Sequence, residues 1–416
     1  MSQDGAAILA IVVATIFGVL ARPFRLPEYV FASAGALALV AFGLLPPALA
    51  WAAVVSGYDV YLFLFGMMLL AEVARQEGLF VWIAGHAAHA AKGSARRLFA
   101  LIYGVGVLVT VFLSNDATAV VLTPAVYAVA RAARVEPLPY LYICAFIANA
   151  ASFVLPISNP ANLVVYGGAP PSLRIWIATF AAPSFAAIAA TYVVLRWTQR
   201  RALALPLAAA PAVEPLSAAG VAAALSLALG ALVLLGASAS GAHLGTPTLA
   251  CGIAAMIATS AIARRSPMPA LKHVAWGVAP LVAGLFVLVA GLEHVGAIDV
   301  IADRLKGSAQ ALQGETAFRA GIAAGVAANI VNNLPLGLLA GAAGAAAQAS
   351  DKTMAGLLIG VDLGPNLSVT GSLATLLWLI AVRREGAEIG GLRFLALGAL
   401  VTPPALLLSL AALMLV

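Results

Sequence analysis

Residues 112–124 read FLSNDATAVVLTP, and they place Ser114, Asn115 and Asp116 in the middle of a long apolar run. The run extends from Leu98 to Ala130, which is too long for one crossing by a helix of about 20 residues. Basic residues bound it at both ends, namely Arg96, Arg97, Arg131 and Arg134. Because polar groups at membrane depth must be buried in protein or line a cavity, the stretch predicts a re-entrant helical hairpin.

The composition is typical of a membrane protein. Of the 416 residues, 63% are hydrophobic and 9% are charged, whereas soluble domains are about 25% charged. The formal net charge of +6 indicates membrane topology rather than nucleic-acid binding. Cys144 and Cys251 lie in separate apolar segments and form neither a disulfide framework nor a metal site. The sequence has no phosphate-binding loop motif for ATP, and it predicts no cofactor.

Ten other apolar segments predict membrane crossings. They are Ala6–Ala21, Tyr29–Leu45, Tyr58–Val73, Tyr140–Tyr166, Ile175–Leu195, Ala218–Ala237, Pro247–Ala263, Ala275–Glu293, Met354–Val382 and Phe394–Val416. A second apolar run, Ala317–Gln348, is also too long for one crossing and is interrupted by NIVNNLP. We therefore predict an all-α polytopic membrane protein with about ten transmembrane helices and two re-entrant hairpins.

The distribution of basic residues predicts the orientation in the membrane. If both long runs are hairpins, about seventeen of the 22 basic residues lie on one side. Such an excess is typical of a cytoplasmic face. The remaining basic residues lie on the opposite side and are Arg174, Arg304, Lys306, Arg319 and Lys352. Both termini are then predicted to be periplasmic.

The order of the predicted elements is repeated. Three spans, a hairpin, a long interrupted span and a final span occupy residues 1–195, and the same order returns in residues 218–416 with opposite orientation. A cytoplasmic linker, 196–217, joins the halves. The hairpins cover about 98–130 and 317–348, and the interrupted spans cover 140–166 and 354–382. Inverted repeats with broken elements at the midplane indicate a secondary transporter rather than an enzyme.

Polar residues at membrane depth define a candidate binding site. They lie at the two hairpin tips and at the interruptions Ile147–Val164 and Gly360–Trp378. Ser114, Asn115 and Asp116 are favoured cap types for the half-helix running to Ala130, and Asn333 can cap the half-helix that begins at Leu334. Five amides gather at these symmetric breaks, namely Asn115, Asn149, Asn159, Asn332 and Asn333. The tips are expected to face each other and form a polar chamber.

Asp116 and Asp362 are the only carboxylates predicted deep in the membrane, and no basic residue is predicted at that depth. Such acids are usually functional, so at least one is predicted to carry a proton. The structural alternative is that each caps a helix or pairs with a neighbour. Thr118, Ser158, Thr370 and Ser372 are weaker candidates, because hydroxyls in membrane helices more often bond their own backbone.

The motifs SNDATAVVLTP, VNNLP and VDLGPN…TGSLATLLW resemble the signatures of the arsenite efflux pump membrane subunit, a family of the ion transporter superfamily. The resemblance implies export of arsenite and antimonite across the inner membrane in exchange for protons. It also implies that in some hosts a soluble arsenite-stimulated ATPase docks on the cytoplasmic face. The implied substrate residues are Ser114, Asn115, Asp116, Ser158, Asn159, Asn332, Asn333, Asp362 and Ser372. Asn149 stands where some members carry a carboxylate, so the division of labour between the two aspartates stays open.

The predicted chamber suits arsenous acid, which is neutral at pH 7 and carries three hydroxyls. Two cysteines on different spans cannot supply three sulfur ligands, so thiolate recognition is not expected. Three alternatives remain open. The first is a sodium- or proton-coupled ion or carboxylate transporter of the same superfamily. The others are a membrane-embedded enzyme that uses paired aspartates and a channel for the neutral hydroxide.

Overall fold

The computed structural model describes residues 3–207, 213–306 and 313–416, and in these ranges the regular elements are helical apart from one isolated β-bridge. The first half contains α1 (Gln3–Ala21), α2 (Glu28–Ala41), α3 (Pro47–Ser56), α4 (Tyr58–Gln76), α5 (Leu79–Ala90), α6 (Ala95–Leu113), α7 (Asn115–Ala117), α8 (Thr123–Ala132), α9 (Leu138–Ala150), α10 (Pro160–Val165) and α11 (Leu173–Thr198). The second contains α12 (Ala218–Ala239), α13 (Gly245–Ile262), α14 (Met268–His273), α15 (Val278–His294), α16 (Ala297–Leu305), α17 (Gln313–Val331), α18 (Asn333–Ala347), α19 (Asp351–Leu363), α20 (Leu373–Arg384) and α21 (Gly391–Met414).

The helix lengths confirm a multi-pass membrane protein. Seven segments of the described chain are long and apolar enough to cross a membrane, or eight if the bent pair α3–α4 is one span. One of the seven is α6, which is a hairpin arm. The bent pair α3–α4 counts as one crossing, which makes eight, and leaving out α6 makes seven. Adding α2, α9–α10 and α19–α20 gives the predicted ten crossings. These three crossings are not among the long helices because α2 is short and the other two are interrupted.

Both predicted hairpins have one non-glycine residue with positive φ at the tip. Ser114 (φ 98°) ends α6, and the chain resumes as α7, a π-helical turn over Thr118–Leu122, and α8. Asn332 (φ 78°) separates α17 from α18 in the same way. Positive φ is uncommon for residues with a side chain. Its occurrence at both tips therefore indicates that each backbone reversal is held by surrounding contacts.

Both long spans break where the sequence predicts. Residues 151–159 separate α9 from α10, and residues 364–372 separate α19 from α20. Each second half-helix begins with a side-chain cap. The Asn159 Oδ1 atom accepts the N–H of Ala161 at 3.0 Å, and the Ser372 Oγ atom accepts the N–H of Thr375 at 3.1 Å. These caps satisfy N–H groups that no helical carbonyl can reach.

Helix packing is repeated in the two halves. α2 packs on α15 as α13 packs on α4, and α1 packs on α2 as α12 packs on α13. The first hairpin arm contacts its broken span through α6 and α9, as the second does through α17 and α19. The boundaries 1–195, 196–217 and 218–416 stay a prediction. α11 extends to Thr198, and residues 208–212 of the linker lie outside the described residues.

Small residues bring α17 and α19 into close contact. Gly356, Gly360 and Gly364 are spaced four apart on one side, and they face the backbone of Ala317, Gly321 and Gly325. Four-residue spacing of small residues places them on one helix face and lets two backbones approach closely. A Cβ atom on Gly360 would collide with the backbone oxygen of Gly321. The contact fixes the hairpin arm α17 against the broken span that carries Asp362.

We expect Gly360→Ala to destabilise the protein by about 1–3 kcal/mol, because the obstructing atom belongs to backbone that cannot rotate away. The measurement is the thermal unfolding midpoint in detergent. The matched control is Gly236→Ala in α12, where a Cβ atom would have no neighbour within 4 Å. The control should be neutral or slightly stabilising, since alanine is the better helix former. Equal midpoints for the two variants would contradict the close contact.

Candidate functional site

The carboxylate of Asp362 joins the two halves of the protein. Its Oδ2 atom accepts the hydroxyl of Ser152 at 2.6 Å, and its Oδ1 atom accepts the amide of Asn159 at 2.8 Å. Asp362 is the penultimate residue of α19, and both donors lie in the interruption of the other broken span. The side chain is fully buried. A buried charge or acid needs such hydrogen bonds to offset the loss of water.

Asn149 occupies the equivalent position in the first half. It is the penultimate residue of α9, and its Oδ1 atom accepts the hydroxyl of Ser372 at 3.4 Å. In each half, the penultimate residue of the first half-helix therefore accepts a hydrogen bond from the residue that caps the second half-helix of the other repeat. The Nδ2 atom of Asn149 donates to the Oδ1 atom of Asn366 at 3.0 Å and to the Oγ1 atom of Thr375 at 3.4 Å. We call these cross-repeat contacts the central network, comprising Asn149, Ser152, Asn159, Asp362, Asn366, Ser372 and Thr375.

The first hairpin tip carries polar groups without partners. Ser114 and Asn115 are buried, and the Oδ1 atom of Asn115 has no hydrogen bond in the described structure. Asp116 is half-buried, and its carboxylate makes no hydrogen bond or ion pair with any described residue. Ser114 is in the N-cap position of α7, but its side chain makes no capping bond. The side chains of the tip residues are therefore not used to cap the helix, contrary to the prediction.

Ser114 and Asp116 line a cavity of about 410 Å³, which we call the inner cavity. Its walls come from α4, α15, α20 and the π-helical turn. Two acidic and two basic residues also line it, namely Glu28, Glu72, Arg22 and His273. Arg22 pairs with Glu28, and Glu72 pairs with Arg75 and lies 3.5 Å from the Nδ1 atom of His273. All four lie near helix ends that the sequence predicts on the cytoplasmic side.

A second cavity of about 840 Å³, the outer cavity, lies among residues predicted on the periplasmic side. Ser56, Tyr166, Glu293, His294 and Gln348 are among its polar lining residues. None of the ten predicted site residues lines it. The inner cavity therefore extends to the first hairpin tip, whereas the outer cavity does not.

The second hairpin tip corrects one prediction. The residue that caps α18 is Asn332, whose Oδ1 atom accepts the N–H of Leu334 at 3.4 Å, and not Asn333. The physical reason is that the chain reverses at Asn332, so Asn333 is already helical. The Nδ2 atom of Asn332 donates to the carbonyl of Thr370 at 3.2 Å, and the N–H of Asn333 donates to the carbonyl of Gly371 at 2.9 Å. Both asparagines are buried.

The predicted site residues form two groups around the start of α20. Asn149, Asn159, Asp362 and Ser372 belong to the central network. The two tips flank the beginning of α20, because α7 packs on α20 and the second tip bonds the two residues before Ser372. Ser158 has a different place, since its hydroxyl donates to the carbonyl of Val111 in α6 at 2.9 Å. It holds the first hairpin against the broken span.

Sequence reasoning missed Ser152, Asn366, Thr375 and Asn329. The first three lie in the interruptions that the sequence singles out, at membrane depth, and their polarity was the available signal. Asn329 lies in the second hairpin arm, where its Nδ2 atom donates to the carbonyl of Gly364 at 3.0 Å and its Oδ1 atom accepts Ser368 at 2.7 Å. Within the described ranges, no three His, Cys, Asp or Glu side chains are grouped to hold a metal ion.

The chain is similar to known membrane transporters. A family model described as citrate transporter matches residues 8–382. An arsenical pump membrane protein of Escherichia coli is 26% identical, covering 83% of this chain and 84% of its own. Another, from Escherichia coli K12, is 27% identical over 97% of both chains. The crystal structure of the YdaH transporter of Alcanivorax borkumensis, described as having an unusual topology, has a TM-score of 0.59 at 18% identity, covering 88% of this chain and 86% of its own.

The similarity to arsenical pump membrane proteins confirms the resemblance seen in the motifs, and the structural likeness supports the fold. The protein is a multi-pass membrane transporter and not an enzyme, as the sequence predicts. Because the family model spans most of its length, the chain belongs to the citrate transporter family.

Proposed function

We propose that this protein exports arsenite and antimonite, as neutral trivalent hydroxides, across the inner membrane in exchange for protons by alternating access. The observation that carries the proposal is the juxtaposition of a polar network that contains no basic side chain with the unpaired carboxylate of Asp116. The central network consists of amides, hydroxyls and Asp362, and Asp116 lies at the neighbouring tip without a partner among the described residues.

The chemistry of the network suits a neutral, hydroxylated substrate. Its groups bond one another in the described state and line neither cavity, so the hairpins would have to move to expose them. Amides and hydroxyls both donate and accept hydrogen bonds, which matches the hydroxyl groups of arsenous acid. No lysine, arginine or histidine takes part in the hydrogen bonds of the central network. The relatives described as arsenical pump membrane proteins support this substrate class for the present chain.

Asp116 is the better candidate for the proton carrier. It has no hydrogen-bond partner in the described chain and lines the inner cavity, whereas the Asp362 carboxylate is fully buried and accepts two hydrogen bonds. In the outward-facing state Asp116 would bind a periplasmic proton. In the inward-facing state it would release that proton into the inner cavity as the hydroxide binds. Moving one positive charge inward lets the membrane potential contribute about 2.3 kcal/mol per 100 mV.

The placement of the cavities supports an inward-facing state. The inner cavity reaches Ser114 and Asp116 from the side predicted to be cytoplasmic, and the outer cavity ends elsewhere. The hairpins and broken spans would then move as a unit against α1–α4 and α12–α15 to expose the same residues to the periplasm. Periplasmic termini and a soluble ATPase on the cytoplasmic face belong to this proposal as expectations.

A second candidate function is sodium- or proton-coupled carboxylate transport, which the family description favours. The positive ends of the half-helices at the tips could bind an anion. However, a carboxylate substrate would lie beside Asp116 and Asp362, whose own charges oppose it. Both basic side chains that line the inner cavity already face a carboxylate, since Arg22 pairs with Glu28 and the Nδ1 atom of His273 lies 3.5 Å from Glu72.

The proposal is tested by uptake into everted membrane vesicles that contain the full chain. Arsenite uptake should require a proton gradient, be abolished by an uncoupler and be indifferent to sodium. Citrate should be neither taken up nor a competitor. Vesicles from cells without the protein provide the background. Sodium-dependent citrate uptake without arsenite uptake would replace this function with the second candidate.

Replacement of both cysteines by serine should leave arsenite uptake within about twofold of the unaltered protein. Cys144 is buried in α9 and Cys251 is half-buried in α13, and neither lines the inner or the outer cavity. Uptake and expression are measured in the same vesicles. An inactive but stably expressed double variant would mean that sulfur ligands take part in recognition.

A further inference from the structure

The inner cavity is larger and more apolar than arsenous acid requires. Its volume of about 410 Å³ lies within the usual range for pockets that enclose drug-sized ligands, roughly 300–1,000 Å³. Polar side chains are confined to Ser114 and Asp116 at the tip and to Tyr29 and the four charged or basic residues near the helix ends. Between them the wall is aliphatic or thioether, and it includes Leu64, Met67, Met68, Val120, Leu281 and Leu377.

Such a wall offers no hydrogen-bonding side chain to a molecule that consists of three hydroxyls around one arsenic atom. An apolar substituent on arsenic would instead be transferred from water to the wall, which is favourable in proportion to the area buried. Two hydroxyls would remain for the polar end of the cavity. The thioethers of Met67 and Met68 also suit an aromatic substituent, because sulfur makes favourable contacts with ring edges.

We propose that the protein also transports trivalent organoarsenicals of the form R–As(OH)₂. The hydroxyl end faces Ser114 and Asp116, and the organic group lies in the inner cavity between α4 and α15. The proposal rests on the proposed metalloid transport and extends it to a further class of substrate. No bond is made or broken, since the molecule binds and leaves as the same neutral hydroxide.

Reconstitution of the purified full chain in liposomes tests this substrate class without other thiol-containing proteins. Arsenous acid and phenylarsonous acid are supplied separately under an inside-acid proton gradient, and trapped arsenic is measured by mass spectrometry. Protein-free liposomes report passive entry. The unaltered protein should take up both compounds above that background, and phenylarsonous acid should compete with arsenous acid.

Cavity-filling variants separate the two substrates. Leu281→Trp and, independently, Val120→Phe narrow the cavity beside the tip from two different elements. Each should lower the ratio of phenylarsonous to arsenous acid uptake at least tenfold. The matched control is Leu225→Trp, which enlarges a side chain on the exposed face of α12 and should not change the ratio. Because the readout is a ratio within one preparation, a lower yield of folded protein does not mimic the effect.

The outcomes distinguish this inference from the function on which it rests. Arsenous acid uptake without phenylarsonous acid uptake overturns the inference and leaves the proposed function intact. Phenylarsonous acid uptake without arsenous acid uptake supports the inference and overturns the proposed inorganic substrate. An unchanged ratio in both variants overturns the inference, because the cavity would then be only an entrance. If neither compound is taken up, both proposals fail.

Discussion

Asp116→Asn should reduce proton-driven arsenite uptake to the background of vesicles without the protein, while the protein remains folded. The carboxylate lines the inner cavity and has no partner among the described residues, so its replacement by an amide breaks no hydrogen bond of the resting structure. The amide preserves size and polarity but cannot bind and release a proton. The measurements are uncoupler-sensitive uptake in everted vesicles and the thermal unfolding midpoint in detergent.

A matched control for Asp116→Asn is Asp303→Asn, which removes one carboxylate on the short helix α16. The Asp303 side chain is 68% exposed and pairs with Lys306 at the surface. Such surface pairs contribute about 0–1 kcal/mol, so both stability and uptake should be retained. Wild-type uptake by the Asp116 variant would exclude this side chain as proton carrier. Loss of uptake with a collapsed unfolding midpoint would instead assign it a structural role.

Asp362→Ala should destabilise the protein strongly, whereas Asp362→Asn should not. The alanine variant leaves the hydroxyl of Ser152 and the amide of Asn159 without their acceptor in a fully buried environment. An unsatisfied buried donor costs about 1–3 kcal/mol, although Ser152 can still donate to the carbonyl of Asn149. The amide oxygen of an asparagine can accept from Asn159, and its N–H can donate to Ser152. The unfolding midpoint of both variants in detergent is the measurement.

The same pair of variants shows which of the two aspartates carries the proton. Asp362→Asn should keep uncoupler-sensitive uptake if Asp116 alone carries the proton. A stable Asp362→Asn protein that has lost such uptake would move the proton to Asp362. Equal stability of the alanine and asparagine variants would mean that the two hydrogen bonds do not hold the halves together.

The positions of the breaks could be predicted from the sequence because the cost of burying polar groups in a membrane is local. A long hydrophobic run with Ser114, Asn115 and Asp116 in its middle can bury these polar residues within protein by forming a hairpin, and few other membrane structures allow this. The second tip and both interrupted spans follow from the same argument. The predicted ends of the first hairpin, Leu98 and Ala130, lie within three residues of the structural ends, Ala95 and Ala132.

The partners across the two halves could not be predicted in this way. Asn149 and Asn366 are 217 positions apart, and nothing local to either residue indicates that their amides meet. Asp362 was expected to lack a neutralising cation, and its hydrogen bonds to Ser152 and Asn159 are invisible to an argument based on depth alone. The predicted cap of α18 was wrong by one residue for another reason. Sequence preferences rank Asn332 and Asn333 equally, and the backbone reversal decides between them.

The equivalent places of Asn149 and Asp362 have an energetic consequence for the transport cycle. If the two repeats were identical, exchanging their conformations would convert the inward-facing state into the outward-facing state with no net change in free energy. An amide in one half and an acid in the other remove this degeneracy. Under the proposed alternating-access cycle, the empty carrier is therefore expected to favour one of its two orientations.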